Sequence, residues 1–577
     1  MPISWPECSS RRWPTDPDEP ADLLGKSTAT MTASRRSDHF PEAWALLTAS
    51  RMHALDRYTI AQEGVASDVL MERAGRAVLE CVVEKLASRP PEERQVWVLC
   101  GPGNNGGDGF VVARLLAEQD IEVHLVALDR GSGWRGAAGR HRDRCLEAGV
   151  TVKARDADPV LRGVVVDALL GIGLKRPIEG GLSAWIHRVA AAQARGEVDV
   201  ISVDVPSGVD SDTGQVLGNG IRADLTVTIS APKVGLTLEP GRSLAGEIRV
   251  ARIGIAEALP GDLEEPIEPS VTVWTREHFL SALPARGSAS HKGTFGHVLI
   301  VAGSEGKSGA AALTAKAALR AGSGLVTVAC PRSLHDLLEV QCLESMTLPV
   351  EETPGRSLAT GAALRIVEVA EGCDVVAVGP GIGRDSETVA LVHELLDRLP
   401  GRIVLDADGL NALAGDLGPL ARRAGDTILT PHPGEASRLL GVSTDEINAD
   451  RVSAARRLSK EAGCFVVLKG AATVCAAPSG DVVINPTGGP NLATAGSGDV
   501  LTGVVASLVG QGLAPWLAAA AGVWWHGWAG DCLAREQGSR GTLAHEVADA
   551  LPRAVHGAQR EGQREPRKDG FLLFPDA

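Results

Sequence analysis

A glycine turn that runs straight into a long apolar segment is the feature that most constrains this chain. The stretch Asn491-Leu-Ala-Thr-Ala-Gly-Ser-Gly-Asp-Val-Leu-Thr-Gly503 ends a polar loop, turns on Gly496 and Gly498, places Asp499 and then becomes apolar. A turn of this kind opening a buried helix presents unpaired backbone N–H groups and a positive dipole end. That is a site for an anion, and a transferring nucleotide phosphate is the obvious one. An Asp at the same helix start is placed to take a proton from a substrate hydroxyl. An ordinary junction between loop and helix has the same local pattern, so the remaining motifs decide between the two.

At 577 residues the chain is too long for one core, and about two to four domains is the expectation. No apolar run is long and charge-free enough to span a membrane; the nearest, Trp516 to Val523, is too short. The net charge of −15 argues against a nucleic-acid partner, which needs a basic face. The ten cysteines show no C-x-x-C and no His/Cys cluster. They read as reduced thiols of a cytoplasmic protein without structural zinc. Residues 1–45 are rich in Pro, Ser, Arg and Asp and read as a disordered extension, with Met31 as an alternative initiator; no apolar segment follows Arg11 and Arg12.

The rest reads as two α/β halves. In residues 46–256, an amphipathic helix over Val69 to Leu86 places Leu70, Ala74, Ala77, Val78, Cys81 and Val82 on one face. Strands are predicted at Val96–Cys100, Ile121–Leu128, Val164–Leu169, Val198–Asp204 and Leu225–Ile229, with a helix at Phe110–Glu118. Strands alternating with helices imply a mostly parallel sheet covered on both faces, with ligands beyond the strands' carboxyl ends. Three motifs sit at such ends: Gly101-Pro-Gly-Asn-Asn-Gly-Gly-Asp-Gly109, Asp167-Ala-Leu-Leu-Gly-Ile-Gly173 and Asp204-Val-Pro-Ser-Gly-Val-Asp210. The first satisfies G-x-G-x-x-G, with Asp129 in reach as a ribose-binding acid, but nothing in this half supplies a hydride-transfer domain. Each Asp alone is more often a cap than a catalyst. Three polar turns at one sheet edge shift that balance.

Residues 257–270 are rich in Pro and acid and read as a linker between two separately folding cores. In residues 271–557 strands are predicted at 298–301, 325–328, 375–378, 403–405, 427–429 and 465–468, again a largely parallel sheet. Gly303-Ser-Glu-Gly-Lys-Ser308 fails the P-loop spacing, because the required first glycine falls at Val301. Residues 558–577 read as a polar tail.

The motifs resemble known families in their order. The three turns, with Leu70-Met-Glu-Arg-Ala-Gly75, resemble the NAD(P)H-hydrate epimerases over nearly all of the first half, a Rossmann-like three-layer fold. The resemblance implies substrate contacts at Asn104, Asn105, Gly106, Gly107 and Asp108 and at Gly171, Ile172, Gly173, Leu174, Lys175, Arg176 and Pro177. It implies a substrate-binding and catalytic role for Asp204, and potassium held by Asn105, Asp167 and Ser207. Oxygen-only ligands suit a hard cation. In the second half His291-Lys-Gly-Thr-Phe-Gly296, Gly309-Ala-Ala311, Gly379-Pro-Gly-Ile-Gly383, Asp406-Ala-Asp-Gly-Leu-Asn411, Thr430-Pro-His-Pro-Gly-Glu435, Lys469-Gly-Ala-Ala-Thr473 and the turn at Asp499 resemble the ADP-dependent NAD(P)H-hydrate dehydratases. Those have a ribokinase-like α/β fold.

This second resemblance implies substrate contacts at Ala311, Gly381, His432, Pro433, Gly434, Glu435 and Asp499. It implies nucleotide contacts at Lys469, Gly470, Ala471, Ala472, Thr473, Gly496, Ser497 and Gly498. Asp499 becomes the catalytic base, with Mg2+ arriving on ADP. Ala495 stands where the family has a third glycine. Together the halves are similar to the bifunctional NAD(P)H-hydrate repair enzymes. That implies epimerisation of R and S hydrates of NADH and NADPH, then dehydration of the S form with ADP to give AMP and phosphate, in a homo-oligomer. Two alternatives stay open from the residues: a small-molecule kinase with a regulatory first half, and a non-catalytic dinucleotide sensor.

Overall fold

The computed structural model describes residues 44–128, 133–154, 159–259, 269–560 and 571–573. The expected extension up to residue 43, the linker core at 260–268 and Asp129 lie outside them, as does most of the expected tail. Two sheets form, both largely parallel. The first has eight strands, in the spatial order 571–573, 247–251, 225–229, 198–203, 163–168, 95–100, 122–127 and 152–153. All its pairings are parallel except the first. The second has eleven, in the order 44–45, 271–273, 482–484, 474–476, 465–468, 427–429, 402–405, 375–378, 297–301, 325–331 and 346–350. From 465–468 to 346–350 it is parallel throughout. The ribbon 474–484 folds back on it antiparallel.

The predicted strands fall within a residue of the observed ones, except that the strand predicted at 325–328 runs on to Pro331; fully buried Val/Leu/Ile runs between glycine turns specify parallel strands well. In the first sheet Val96, Val98, Val164, Val166 and Val203 face one cluster with the helix Ser67–Ala87. Leu99, Val165 and Val200 face another with Trp185. Both faces are covered, as the alternation implied.

The chain ends cross over between the sheets. Trp44 and Ala45 pair antiparallel with Val273 and Thr272 of the second sheet. Residues 571–573 pair antiparallel with 249–251 of the first. The two halves also share part of one hydrophobic core. Leu46, Val205, Val234, Leu236 and Ile248 belong to the same hydrophobic cluster as Leu299, Leu405 and Val466. The side-chain amide of Gln215 also donates to the Asn448 carbonyl at 3.1 Å. Burial of this kind is worth about 25 cal/mol per Å². A chain beginning at Val271 is therefore expected to melt at least about 2–4 °C below the same half in the full chain, the shift that ~1 kcal/mol gives a domain of this size. Equal melting by circular dichroism would mean the shared cluster stabilises neither half.

Among the described residues no helix is long and apolar enough to cross a membrane. The apolar run at Trp516 lies in the helix Pro515–Gln537, where Trp524, Trp525 and Trp528 pack against Phe279 and the helix Ala544–Arg560.

Candidate active sites

In the first sheet the strands ending at Cys100, Ala168 and Val203 are neighbours, so their three motifs emerge at one edge. They meet around a cavity of about 760 Å³. Asn104, Asn105, Asp108, Gly171, Ile172, Gly173, Leu174, Lys175, Arg176 and Asp204 line it. Gly106, Gly107 and Pro177 do not. The expected glycine turn is already helix from Asn104, and Gly106 and Gly107 lie on its buried side. A Cβ on Gly106 would sit 2.0 Å from the Gly101 carbonyl oxygen. These glycines let the helix start close against the strand end; they do not touch the cavity.

Asp204 has a left-handed backbone, φ 66°. Its Oδ1 pairs with the buried Lys233 ammonium and accepts from Ile229 N at 3.0 Å. Lys233 was not marked by any sequence motif. Asp56 and His53 also line the cavity from the helix Ala49–Ala61. Burial raises the Asp56 carboxyl, and burial with the charges of Asp204 and Asp56 holds Asp108 well above the ordinary range. Asp167 is fully buried beneath the cavity floor. It accepts from Ser207 Oγ at 2.5 Å, Ser207 N at 2.9 Å and Ser202 Oγ at 2.8 Å. Asn105 lies against Gly171, and its Nδ2 is buried without a hydrogen-bond partner among the described residues.

In the second half, Gly496 at φ 87° starts the helix Ser497–Gly510. Asp499 in its first turn is pushed up to about 7, by burial first and then by Asp406, while Lys469 acts in the opposite sense. The Lys469 ammonium lies 2.6 Å from Asp406 Oδ1 and 3.9 Å from Glu435 Oε2. A Cβ on Gly498 would stand 3.3 Å from it. Burial works against the charge of Lys469, but Asp406 and Glu435 outweigh it and raise its pKa. Thr502 Oγ1 donates to the other Asp406 oxygen at 2.7 Å. Lys469, Glu435 and Asp499 thus converge around Asp406.

His432 caps the helix Pro433–Leu440. Its ring accepts from Gly434 N and Glu435 N, and Glu435 accepts from His432 N at 2.8 Å. Burial, then Lys469, lowers the His432 pKa. Pro433 fixes the first helical position. Ala311 is buried in the helix Ser308–Arg320, and Gly381 at φ 63° lies on the Lys307 carbonyl. The rejected P-loop therefore contributes a different contact: Lys307 Nζ reaches Asp408 at 2.8 Å, opposite Arg384 at 3.1 Å.

The segment Lys469 to Thr473 follows the strand Phe465–Leu468. Gly470 has φ 140° and Ala472 φ 50°, Ala471 is exposed, and Thr473 Oγ1 donates to the Gly470 carbonyl at 2.9 Å. Behind it Arg451 donates to the carbonyls of Leu468 and Lys469. Ser497 Oγ lies 3.2 Å from His526, whose ring burial holds at about 4 and so neutral. Ala495 is exposed and is not in the left-handed region, so no third glycine is required there.

Two family profiles match these two halves: "YjeF-related protein N-terminus" over residues 67–235 and "NAD(P)H-hydrate dehydratase" over residues 298–553. Over 525 residues the chain is 42% identical to the bifunctional NAD(P)H-hydrate repair enzyme of Moorella thermoacetica, covering 89% of this chain and 97% of that protein. The chain belongs to the bifunctional NAD(P)H-hydrate repair enzymes. The repair enzyme of Escherichia coli is 37% identical over 489 residues, 84% of this chain and 89% of that protein. A solved ADP/ATP-dependent NAD(P)H-hydrate dehydratase from Bacillus subtilis, co-crystallized with ATP and Mg2+, aligns at 32% identity and a TM-score of 0.44, covering 51% of this chain and all of the other. Both halves of a repair enzyme are therefore present in one chain.

Proposed function

We propose that the first half epimerises the R and S hydrates of NADH and NADPH, and that the second dehydrates the S hydrate with ADP, giving AMP and phosphate. The observation that carries this is Asp499, a carboxyl poised at about 7 in the first turn of a helix with Lys469 alongside. Hydroxide leaves poorly and phosphate leaves well. Asp499 takes the proton of the hydrate hydroxyl as it attacks the terminal phosphoryl group of ADP, and loss of phosphate restores the ring double bond. The amides from Gly496 to Gly498 and the Lys469 ammonium stabilise the moving charge. His432 and Glu435 face the substrate; the loop Lys469–Thr473 holds the nucleotide.

Mg2+ fits this site through the nucleotide phosphates, since it keeps few protein ligands, and among the described residues no His/Cys/Asp/Glu cluster forms a cage. It would supply charge neutralisation. In the first half Asn105, Asp167 and Ser207 would hold potassium. Among the described residues Asp167 has no cationic partner, and the donors are oxygens, which suits a hard ion. Val340 and Leu343, 74% and 81% exposed beside the edge strand 346–350, support a homo-oligomer, testable by light scattering. We place the enzyme in the cytoplasm, in keeping with its reduced cysteines.

The test is direct. Mixed NADH hydrates with ADP should convert fully to NADH; half conversion would leave only the dehydratase. Lys469→Met should weaken nucleotide binding by about tenfold, the ~1.4 kcal/mol of one charge-assisted contact. It should also move the pH limb of dehydration upward, because Lys469 is the group that lowers the Asp499 pKa. An unmoved limb in the pH–rate profile would remove Lys469 from the site.

A further inference from the structure

Lys233 has no side-chain exposure at all and no assigned role. It follows the strand Leu225–Ile229 in the turn Ser230-Ala-Pro-Lys233, and its backbone is bridged to Leu47. Its ammonium pairs with Asp204 Oδ1, donates to the Ile229 carbonyl at 2.6 Å and contacts Thr228 Oγ1 at 3.3 Å. A lysine this deep is costly unless its charge is matched, and Asp204 is its one carboxylate partner among the described residues. Ile229 N and Thr228 Oγ1 also reach Asp204 Oδ1. Every partner thus falls on one oxygen. Oδ2 has none among the described residues, and Asp204 lines the cavity. The left-handed backbone of Asp204 is a strained conformation for a residue with a Cβ, of the kind kept where surrounding structure enforces it.

Asp108 is the contrast. It lines the same cavity, and among the described residues its carboxyl has neither a hydrogen bond nor an ion pair. Burial first, then Asp204 and Asp56, raise its pKa well above the ordinary carboxyl range, and the opposing charge of Lys233 does not offset them. Asp108 and Asp204, two of the three carboxyls that line this cavity with Asp56, stand in unlike surroundings, the pattern of an acid with its base.

We propose that Asp108 and Asp204 are the acid and base of epimerisation, and that Lys233 is a positioning residue that fixes Asp204 through Oδ1 and leaves Oδ2 turned to the substrate. This rests on the epimerase reading above. Inversion requires the ring C–O bond to break and re-form on the other face. Asp108 gives its proton to the departing hydroxyl, which leaves as water. The lone pair of the ring nitrogen fills the vacated position as a C=N bond. A water from the opposite face then adds to the ring carbon, the C=N pair returns to nitrogen, and Asp204 Oδ2 takes the proton released. The return reaction uses the two groups in exchanged roles.

The experiment follows conversion of purified R hydrate to S hydrate by the full chain without ADP, using chromatography and mass spectrometry in ¹⁸O-water. Each inversion should introduce one labelled oxygen. Lys233→Met should lower kcat by about tenfold or more with KM within about twofold, as for loss of an interaction felt in the transition state. Lys233→Arg should recover much of that loss. ADP-dependent loss of S hydrate should stay unchanged in both, which reports on folding. If Lys233→Met is insoluble, Asp108→Asn leaves the ion pair intact and should show the same split between kcat and KM. Full kcat in Lys233→Met or Asp108→Asn, an arginine no better than methionine, or inversion without label overturns the proposal. A wild-type chain that does not interconvert the hydrates overturns the epimerase function itself.

Discussion

Asp499→Asn is expected to cut ADP-dependent dehydration by about two or more powers of ten, the scale of a lost general base, while the fold and ADP binding survive. The asparagine keeps the size and loses only the proton-accepting oxygen. Two further readouts separate a base from a mere contact. Wild-type turnover should rise with pH up to about 7, where Asp499 ionises, and this limb should vanish in the variant. The stability change has a definite sign. Burial and Asp406 raise the Asp499 pKa above its unfolded value, so the folded state holds the proton more tightly than the unfolded one. Stability therefore falls as pH rises from about 4 to about 7, and the ionised carboxylate is a net cost above that window. Asp499→Asn removes the cost and should raise the melting temperature at pH 8, with the gain fading toward pH 4. Near-normal turnover would remove Asp499 from the chemistry. Unchanged melting at pH 8 would mean the carboxylate is solvated enough to bear its charge.

What the chain reveals before folding follows from the range of the interactions involved. Strands such as Val375–Val378 and helix starts such as Gly496–Asp499 are dictated by neighbours in sequence, so pattern alone locates them. The sequence predicts a glycine turn over Gly101–Gly109 and a helix only from Phe110, and glycine is a poor helix former. Close packing against Gly101 and Met71 overrides that preference and starts the helix at Asn104. The ribbon 474–484 escaped because its strands are three residues long, below the length at which alternation can be seen. Lys233 and Asp406 were illegible as site residues for another reason. A lone Lys after a strand looks solvated, and only the tertiary fold brings it 29 positions back onto Asp204. Nothing in the sequence around Trp44 announces a partner at Val273, more than two hundred residues away, so pattern alone leaves it in the extension.

Asp204→Ala in the full chain is expected to slow use of the R hydrate by about two powers of ten, the scale of a lost proton acceptor, and to leave the rate of S-hydrate use unchanged. Asp204 closes the strand Val198–Val203 in the first sheet and lines a cavity with residues of the first half only. Asp499 stands over the second sheet with Asp406, Glu435 and Lys469, and the two sites share no residue. Progress curves on mixed hydrates with excess ADP should keep their fast phase, which reports on the S form. The remainder should then fall at the slow rate of spontaneous epimerisation. The substitution also strips the buried Lys233 of its carboxylate, so some loss of stability is expected in the first half. Because the hydrophobic cluster around Leu236 and Leu299 spans both halves, that loss should appear as a lower melting temperature of the whole chain. Assays well below that temperature keep the two effects apart. A fast phase abolished in a folded Asp204→Ala chain would contradict two independent sites and require one composite site drawing on both sheets.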